Sequence, residues 1–257
     1  MKKRNCFLFL ITLVTVQILY GQSSYIPKNL GSPVNSVYNE VNPVLSPDGR
    51  TLYFVRVNHP ENTFGAGDSE DIWFSEWQSD GTWSTPKRIE FLNIGRYNAI
   101  LSLSADGNTA LINGIYTKRG TFWKKRGLST STKSETGWST PVKLKVPTLS
   151  KRNRGKKSSG MMTPDGQFIL LSFSREYNSK KTNLFYSKRK SNGNYTRPKA
   201  IHKLNVMTRS EDSPFLAADN KTLYYSTDYR RRGQYDIFKV TRKSDGWRQW
   251  SDSEMLQ

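Results

Sequence analysis

Three observations predict an all-β chain made of repeated four-stranded sheets, the architecture of a β-propeller. A turn of Asp-Gly type recurs between apolar runs at Asp48, Asp106, Asp165 and Asp219, at intervals of 58, 59 and 54 residues. An aromatic marker follows each turn at a similar distance: Trp83-Ser84, Trp138-Ser139, Tyr195-Thr196 and a degraded form within Gly246–Ser251. No apolar period of 3.6 residues extends over a long window past the first twenty residues, which disfavours a helical solenoid. Repeats of four short strands bury their faces only by stacking on one another, as propeller blades do.

The chain starts with Met1-Lys2-Lys3-Arg4, continues through an apolar run from Cys6 to Tyr20, and turns small and polar at Gly21-Gln22-Ser23-Ser24. That order of charge, apolar core and small residues is the pattern of a secretory signal. The run matches a signal core and falls short of the roughly 20 residues that span a bilayer. The expectation is a signal peptide over 1–21, a propeller domain over 22–257 without a transmembrane span, and export to the periplasm, the outer membrane or the exterior. Cys6 is the single cysteine, so the mature chain is expected to hold together by its core rather than by disulfides.

The first copy, about 38–93, runs through Asn42-Pro43-Val44-Leu45-Ser46-Pro47-Asp48-Gly49 and on to Leu52-Tyr53-Phe54. The second, about 97–148, holds Leu103-Ser104-Ala105-Asp106-Gly107, and the third, about 158–205, holds Met162-Thr163-Pro164-Asp165-Gly166. Asp219-Asn220 takes the turn in the fourth, about 210–257. Glycine, and less easily Asn, accepts the positive φ of a tight hairpin. An aromatic strand lies between turn and marker, as in Asp71-Ile72-Trp73-Phe74, Leu184-Phe185-Tyr186 and Asp236-Ile237-Phe238.

The succession Pro-x-x-Ser-Pro-Asp-Gly-x-x-Leu-Tyr-Phe, Asp-Ile-Trp and Trp-Ser-x-Pro resembles the WD40-like PD40 propeller repeats, related to the propeller of periplasmic TolB and common in exported proteins of Bacteroidetes. The likeness covers about residues 27–257. It implies a propeller, partner binding in the cell envelope, and usually six blades, whereas four copies are present here. Pro27–Ser36 looks like the tail of a blade that would pair with the last copy and close a four-bladed ring; the alternative is an open arc.

Strand order assigns the loops to two rims. Turns joining strands one to two and three to four carry seven basic and seven acidic residues. Loops joining strands two to three, together with the links between blades, carry 20 Lys or Arg against seven Asp or Glu. The excess comes from Lys118, Arg119, Lys124, Lys125 and Arg126; from Lys151, Arg152, Arg154, Lys156 and Lys157; and from Lys180, Lys181, Arg230, Arg231 and Arg232. Loop charges are commonly just solvated. The sharper reading is a binding face for an envelope protein's acidic patch, lipopolysaccharide, an acidic glycan or nucleic acid, the last without a supporting motif. Trp123, Tyr229 and Tyr235 among these cations are candidates for stacking or for blade packing.

Chemistry of other kinds lacks its markers. His59 and His202 are the only histidines and fall in different repeats, so a His/Cys metal site is not expected, nor any cofactor. Nucleophile-elbow, phosphate-loop and dinucleotide motifs are missing. Because glycosidases use paired acids, Glu40, Glu211 and Asp212, each at the entry of a first strand, form the candidate set for a carbohydrate-active enzyme. The surrounding cations make salt bridges or strand-entry hydrogen bonds the expected role of all three, ahead of catalysis or metal binding. Asp68-Ser69-Glu70-Asp71 carries calcium-type oxygens, but the recurrence of Asp71 as Asp236 points to a repeated structural hydrogen bond. Ser79-Asp80-Gly81-Thr82-Trp83 resembles a sialidase Asp-box with altered spacing, and reads as a turn plus a packed tryptophan.

Overall fold

The computed structural model describes residues 28–256 apart from 68, 118, 120 and 232. The expected signal peptide lies outside the described residues. Four antiparallel sheets follow one another along the chain. Blade one contains β1 (Asn39–Leu45), β2 (Thr51–Val57), β3 (Glu70–Glu76) and β4 (Lys87–Arg88). Blade two contains β5 (Ile100–Leu103), β6 (Thr109–Tyr116), β7 (Phe122–Ser134), β8 (Gly137–Trp138) and a short β9 (Val142–Lys143) that also pairs with β7. One helical turn, α1 (Leu149–Arg152), precedes blade three: β10 (Ser158–Met162), β11 (Phe168–Phe173), β12 (Asn183–Lys188) and β13 (Lys199–Ala200). Blade four contains β14 (Glu211–Leu216), β15 (Thr222–Arg231), β16 (Gln234–Thr241) and β17 (Glu254–Met255).

The repeated turns form for one local reason. Gly49, Gly107, Gly166 and Asn220 all have positive φ, between 55° and 74°, the region where a side chain beyond Asn is strained. Each preceding Asp then locks the hairpin. Asp48 Oδ1 accepts the Arg50 N–H at 3.0 Å and the Ser46 hydroxyl, and Asp106 and Asp165 repeat this with Asn108 and Ser104 and with Gln167 and Thr163. Ala217 removes the hydroxyl in blade four. Thr222 replaces it, donating to Asp219 Oδ2 at 2.6 Å.

The aromatic marker registers the outer edge of each blade. The hydroxyl of Ser84 accepts the N–H of Glu76, while Ser84 N–H donates back to the Glu76 carbonyl. Ser139 with Thr132, Thr196 with Lys188 and Ser251 with Thr241 repeat both bonds. Trp250-Ser251 is therefore the marker of blade four. It is intact, and only its hairpin is longer: Arg242 bridges Trp250, whereas Trp77 bridges Trp83 and Arg189 bridges Tyr195. Trp247 is an addition within that longer turn.

Three apolar clusters hold the blades together. Tyr53, Ile72 and Leu92 pack on Ile100, Ile112 and Trp138 between blades one and two. Leu111, Leu128 and Leu149 pack on Ile169, Leu171 and Phe185 between two and three. Leu170, Leu184 and Ile201 pack on Leu223, Tyr225 and Trp247 between three and four. Correspondingly β1 packs on β5, β5 on β10 and β10 on β14. Among the described residues no such apolar cluster joins blade four to blade one, and no strands of these two blades pack as extensively as those three pairs.

The segment expected to close the ring does something else. Val34 covers the outward face of blade one, where it clusters with Leu52, Phe54 and Trp73. Arg56 Nη2 donates to the Pro33 and Val34 carbonyls at 3.0 and 3.3 Å. Burying those apolar side chains at the nearest face needs no chain closure, which is why the segment caps blade one rather than pairing with blade four. The outward face of blade four keeps Phe215, Ile237 and Leu256 exposed.

Candidate functional site

Backbone hydrogen bonds confirm the two rims. Trp77 N–H donates to Arg50 O, Lys133 to Asn108, Arg189 to Gln167 and Arg242 to Lys221, tying the strand one-to-two turns to the strand three-to-four hairpins. On the other rim, strand two-to-three loops meet blade links. Arg154 and Gly155 N–H groups donate to Ser174 O, Lys156 N–H to Ser179 O, and Asn178 N–H to Arg154 O.

Those bonds bring two basic segments together. The link carrying Lys151, Arg152, Arg154, Lys156 and Lys157 lies on the loop carrying Arg175, Lys180 and Lys181. Leu149 of α1, buried in the blade two-to-three cluster, anchors one end. The Asn153 side of the link is buried and Gly155 is the close-contact point: a Cβ there would fall 2.7 Å from Ser174 Cβ. Arg126 reaches the same place through Gly155 O at 3.4 Å. Lys157 extends the patch to blade four, its Nζ 5.6 Å from the centre of the Tyr235 ring, and Arg154 lies 5.8 Å over exposed Tyr177. None of these cations forms an ion pair among the described residues; Glu176 lies in the same loop, and Lys181 acts on the buried Glu211. Burial, then the nearby Arg152 charge, pushes the Arg175 guanidinium down from its ordinary value.

The other basic residues are more scattered. Arg119 is exposed in the β6–β7 hairpin, and Arg230 and Arg231 end β15, where Arg231 reaches Gln234 at 3.5 Å. Lys118 and Arg232 lie outside the described residues, and Trp123, Lys124 and Lys125 are described only as backbone of β7. Arg175 and Tyr177 were absent from the candidate list drawn from sequence. Their position in the same loop as Lys180 and Lys181 was the available signal.

The three candidate acids do not form a set. Glu40 Oε1 accepts the Ser36 hydroxyl at 2.5 Å and faces Arg56 Nε at 3.3 Å, a close ionic contact without hydrogen-bond geometry. A bulge at Ser213 in β14 turns Asp212 toward blade three, where its Oδ1 accepts the hydroxyls of Ser159 and Ser172. Glu211, next in sequence, points to the opposite face of the strand. Salt bridges or strand-entry hydrogen bonds were expected of the three acids: Glu40 makes the ionic contact, and Asp212 and Glu211 accept hydrogen bonds.

Glu211 is 1% exposed. Its Oε1 accepts Val206 N–H at 3.1 Å, and its Oε2 has no partner among the described residues. Burial pushes its carboxyl up to about 7, the Asp228 charge adds to this, and the Val206 bond and Lys181 oppose it. Asp228 behaves differently. Burial would raise it, but the N–H groups of Ser210 and Gly233 hold it below the ordinary carboxylate range. Glu211 lines a pocket of about 260 Å³ with Lys203, Leu204, Val206, Tyr225, Tyr229 and Ser253.

Sequence reasoning also missed a repeated link residue. Asn93 brackets Ile72, accepting its N–H at 2.7 Å and donating to its carbonyl at 2.9 Å, and Asn205 does the same to Leu184 at the same distances. The Leu92-Asn93 and Leu204-Asn205 pairs were the visible sign. Asp71 is the buried acceptor for Thr63 and Asn98, but Asp236 makes no matching side-chain bond among the described residues, so that expected recurrence fails. No cluster of three or more metal-type side chains occurs among the described residues. Asp80 accepts from Thr82 and Trp83 packs on blade one, as a turn and a packed tryptophan should.

No protein-family model matches the chain, and no curated protein does. Similar solved structures include a pair of prolyl endopeptidases, at 14% identity over 83% of this chain and 28% of that one, TM-score 0.41. Prolyl oligopeptidase B from Galerina marginata matches at 12% identity over 85% and 30%, TM-score 0.43. The propeller domain of the trilobed protease from Pyrococcus furiosus matches at 14% over 83% and 68%, TM-score 0.40. A GH74 enzyme from Niastella koreensis matches at 16% over 82% and 29%, TM-score 0.43. The chain thus spans about three-tenths of the length of the prolyl peptidases it resembles. The likeness is one of propeller fold and of nothing finer. No helix among the described residues is long and apolar enough to cross a membrane.

Proposed function

We propose that this chain is a non-catalytic binding module of the cell envelope that holds an anionic polymer, such as lipopolysaccharide or an acidic glycan, on its basic rim. The repeats are of the PD40 kind, and export follows from the basic start and apolar run over residues 1–21. One observation carries the reading: the backbone bonds from Arg154 and Lys156 to Ser174 and Ser179 gather eight cations from two segments, none of them in an ion pair among the described residues. Uncompensated like charge held together by the fold opposes folding slightly and favours polyanions strongly. Exposed Tyr177 and Tyr235 offer flat faces for sugar rings beside that charge.

Retention on heparin and lipopolysaccharide beads during a salt gradient tests the proposal. Replacing Arg154, Lys156 and Lys180 by Ala should move elution to clearly lower salt. Replacing Arg189, Lys221 and Lys243, on the opposite rim, removes the same charge and should move it little. Equal shifts for the two triple variants would mean that net charge alone is being read, and the patch would lose its role.

A carbohydrate-active enzyme is the second reading, and Glu211 alone favours it. A glycosidase needs two carboxyls facing one bond. Glu40 and Asp212 have their oxygens engaged by Arg56 and Ser36 and by Ser159 and Ser172. Turnover of aryl-glycosides or sialosides that disappears in Glu211→Gln would reverse the ranking.

A further inference from the structure

The position of Glu211 in the fold does not require a carboxylate. Asn98 occupies the corresponding place at the entry of blade two: its N–H donates to Glu70 O as Glu211 N–H donates to Thr182 O. Asn98 Oδ1 accepts a link N–H, from Gly95 at 3.0 Å, just as Glu211 Oε1 accepts that of Val206. The second polar atoms differ. Asn98 Nδ2 donates to Glu70 O at 3.1 Å and Asp71 Oδ1 at 3.2 Å, whereas Glu211 Oε2 has no donor among the described residues. A buried carboxylate with one hydrogen bond and no cation within ion-pair distance among the described residues, Lys181 acting only from farther off, is the costly half of an ion pair.

The walls of the pocket indicate what is missing. Tyr225, Tyr229 and Phe238 line it with Glu211. Tyr229 meets Phe238 edge-on, centroids 6.1 Å apart at 74°, and Tyr225 lies 6.2 Å from Phe238 at 31°, so the rings make differently oriented walls. Ring faces attract cations, most strongly when water is excluded. Tyr225 Oη and Ser253 Oγ, 3.0 Å apart, add acceptors, and Leu204 and Val206 add apolar surface. An anion would meet Glu211 and Asp228. A neutral hydroxyl would satisfy Oε2 but leave the charge uncompensated.

We propose that this pocket binds a primary ammonium group carried on an alkyl chain, paired with Glu211 and enclosed by the rings of Tyr225, Tyr229 and Phe238. The site lies on the same rim as the basic patch, with Lys181 and Lys203 beside it, but its lining is different: it would bind a cation although the chain as a whole is strongly basic, so selectivity has to be local. Charged and titratable neighbours of Glu211 are Asp228 and Tyr225 on β15, Lys181 of the β11–β12 loop, and Lys203 of the blade link.

Ligand-observed NMR titration of the full chain with n-butylammonium, n-butanol and methyl glucoside tests this. Saturable binding of butylammonium, at least tenfold tighter than butanol, is expected. The amine stays protonated from pH 6 to 8, while the charged fraction of Glu211 rises about tenfold over that range. Affinity should rise by about the same factor. Glu211→Gln should abolish binding, and Tyr229→Ala, at an exposed wall, should weaken it severalfold in a chain whose fold it leaves alone. Butanol binding as well as the amine, unchanged affinity in Glu211→Gln or Tyr229→Ala, or saturation by methyl glucoside without saturation by butylammonium would each overturn the proposal.

Discussion

The guanidinium of Arg56 lies 4.7 Å over the ring of Trp73 while the same side chain reaches back to the carbonyls of Pro33 and Val34. This contact fastens the capping segment to blade one at a site 6% exposed. Removing one member of a buried ionic contact costs roughly 3–5 kcal/mol, because the partner is left uncompensated. Arg56→Met should therefore destabilise by about 3 kcal/mol in urea denaturation, and Glu40→Gln in the same chain should restore part of the loss through coupling. If Arg56→Met unfolds at the wild-type midpoint, the segment is held by Val34 alone.

Trp247 presents a different balance. It stacks on Tyr186 with centroids 5.3 Å apart and meets Phe168 edge-on at 5.1 Å, filling the outer gap between blades three and four. Its indole Nε1 is buried without a partner among the described residues. Trp247→Ala should cost about 3–5 kcal/mol. Trp247→Phe should cost under about 1.5 kcal/mol, since losing an unsatisfied donor offsets lost volume. Equal losses by thermal or chemical denaturation would show that the indole N–H has a partner.

What the sequence disclosed was local chemistry. The Asp48, Asp106 and Asp165 turns depend on residues within five positions, so hydroxyl, carboxylate and glycine could all be read directly. The blade-four marker was misjudged because its spacing was compared rather than its hydrogen-bonding residue; Ser251 keeps the role of Ser84. Non-local outcomes stayed hidden. Whether Val34 closes a ring or caps a face is decided by which apolar surface is nearest in space. The charge of the rim was visible residue by residue, but the docking of Gly155 on Ser174 was not. Glu211 was expected in a salt bridge or a strand-entry hydrogen bond and makes the latter; its burial comes from the link around Val206, which no spacing reveals.

Gly155 offers a way to test the basic patch without touching its charge. A Cβ there would approach Ser174 Cβ to 2.7 Å and the Ser179 carbonyl to 3.1 Å, and both belong to the loop on which the link lies. Gly155→Val should force the two segments apart at a cost of about 1–3 kcal/mol. Elution from heparin should shift to lower salt although every cation remains. Unchanged retention would mean that the cations act separately rather than as one patch.

Glu211 predicts an unusual pH dependence. Burial, reinforced by Asp228, raises its carboxyl from 4.5 to about 7 in the folded chain. Between those values the folded state holds a proton that the unfolded state has released, so stability falls as pH rises through the interval and levels off above about 7. The contribution is up to about 3 kcal/mol, at 1.36 kcal/mol for each pKa unit. Asp48, Asp106 and Asp219 act oppositely: the hydroxyls of Ser46, Ser104 and Thr222 lead in lowering them, so their support is lost only as pH falls below the ordinary carboxylate range. Urea denaturation from pH 4 to pH 8 should show declining stability from about pH 4.5 to 7 in the wild type. Glu211→Gln should flatten that decline and be the more stable chain at pH 8. A wild-type chain that gains stability over the same interval would place a donor on Oε2 and remove the reason for both the pH dependence and the amine site.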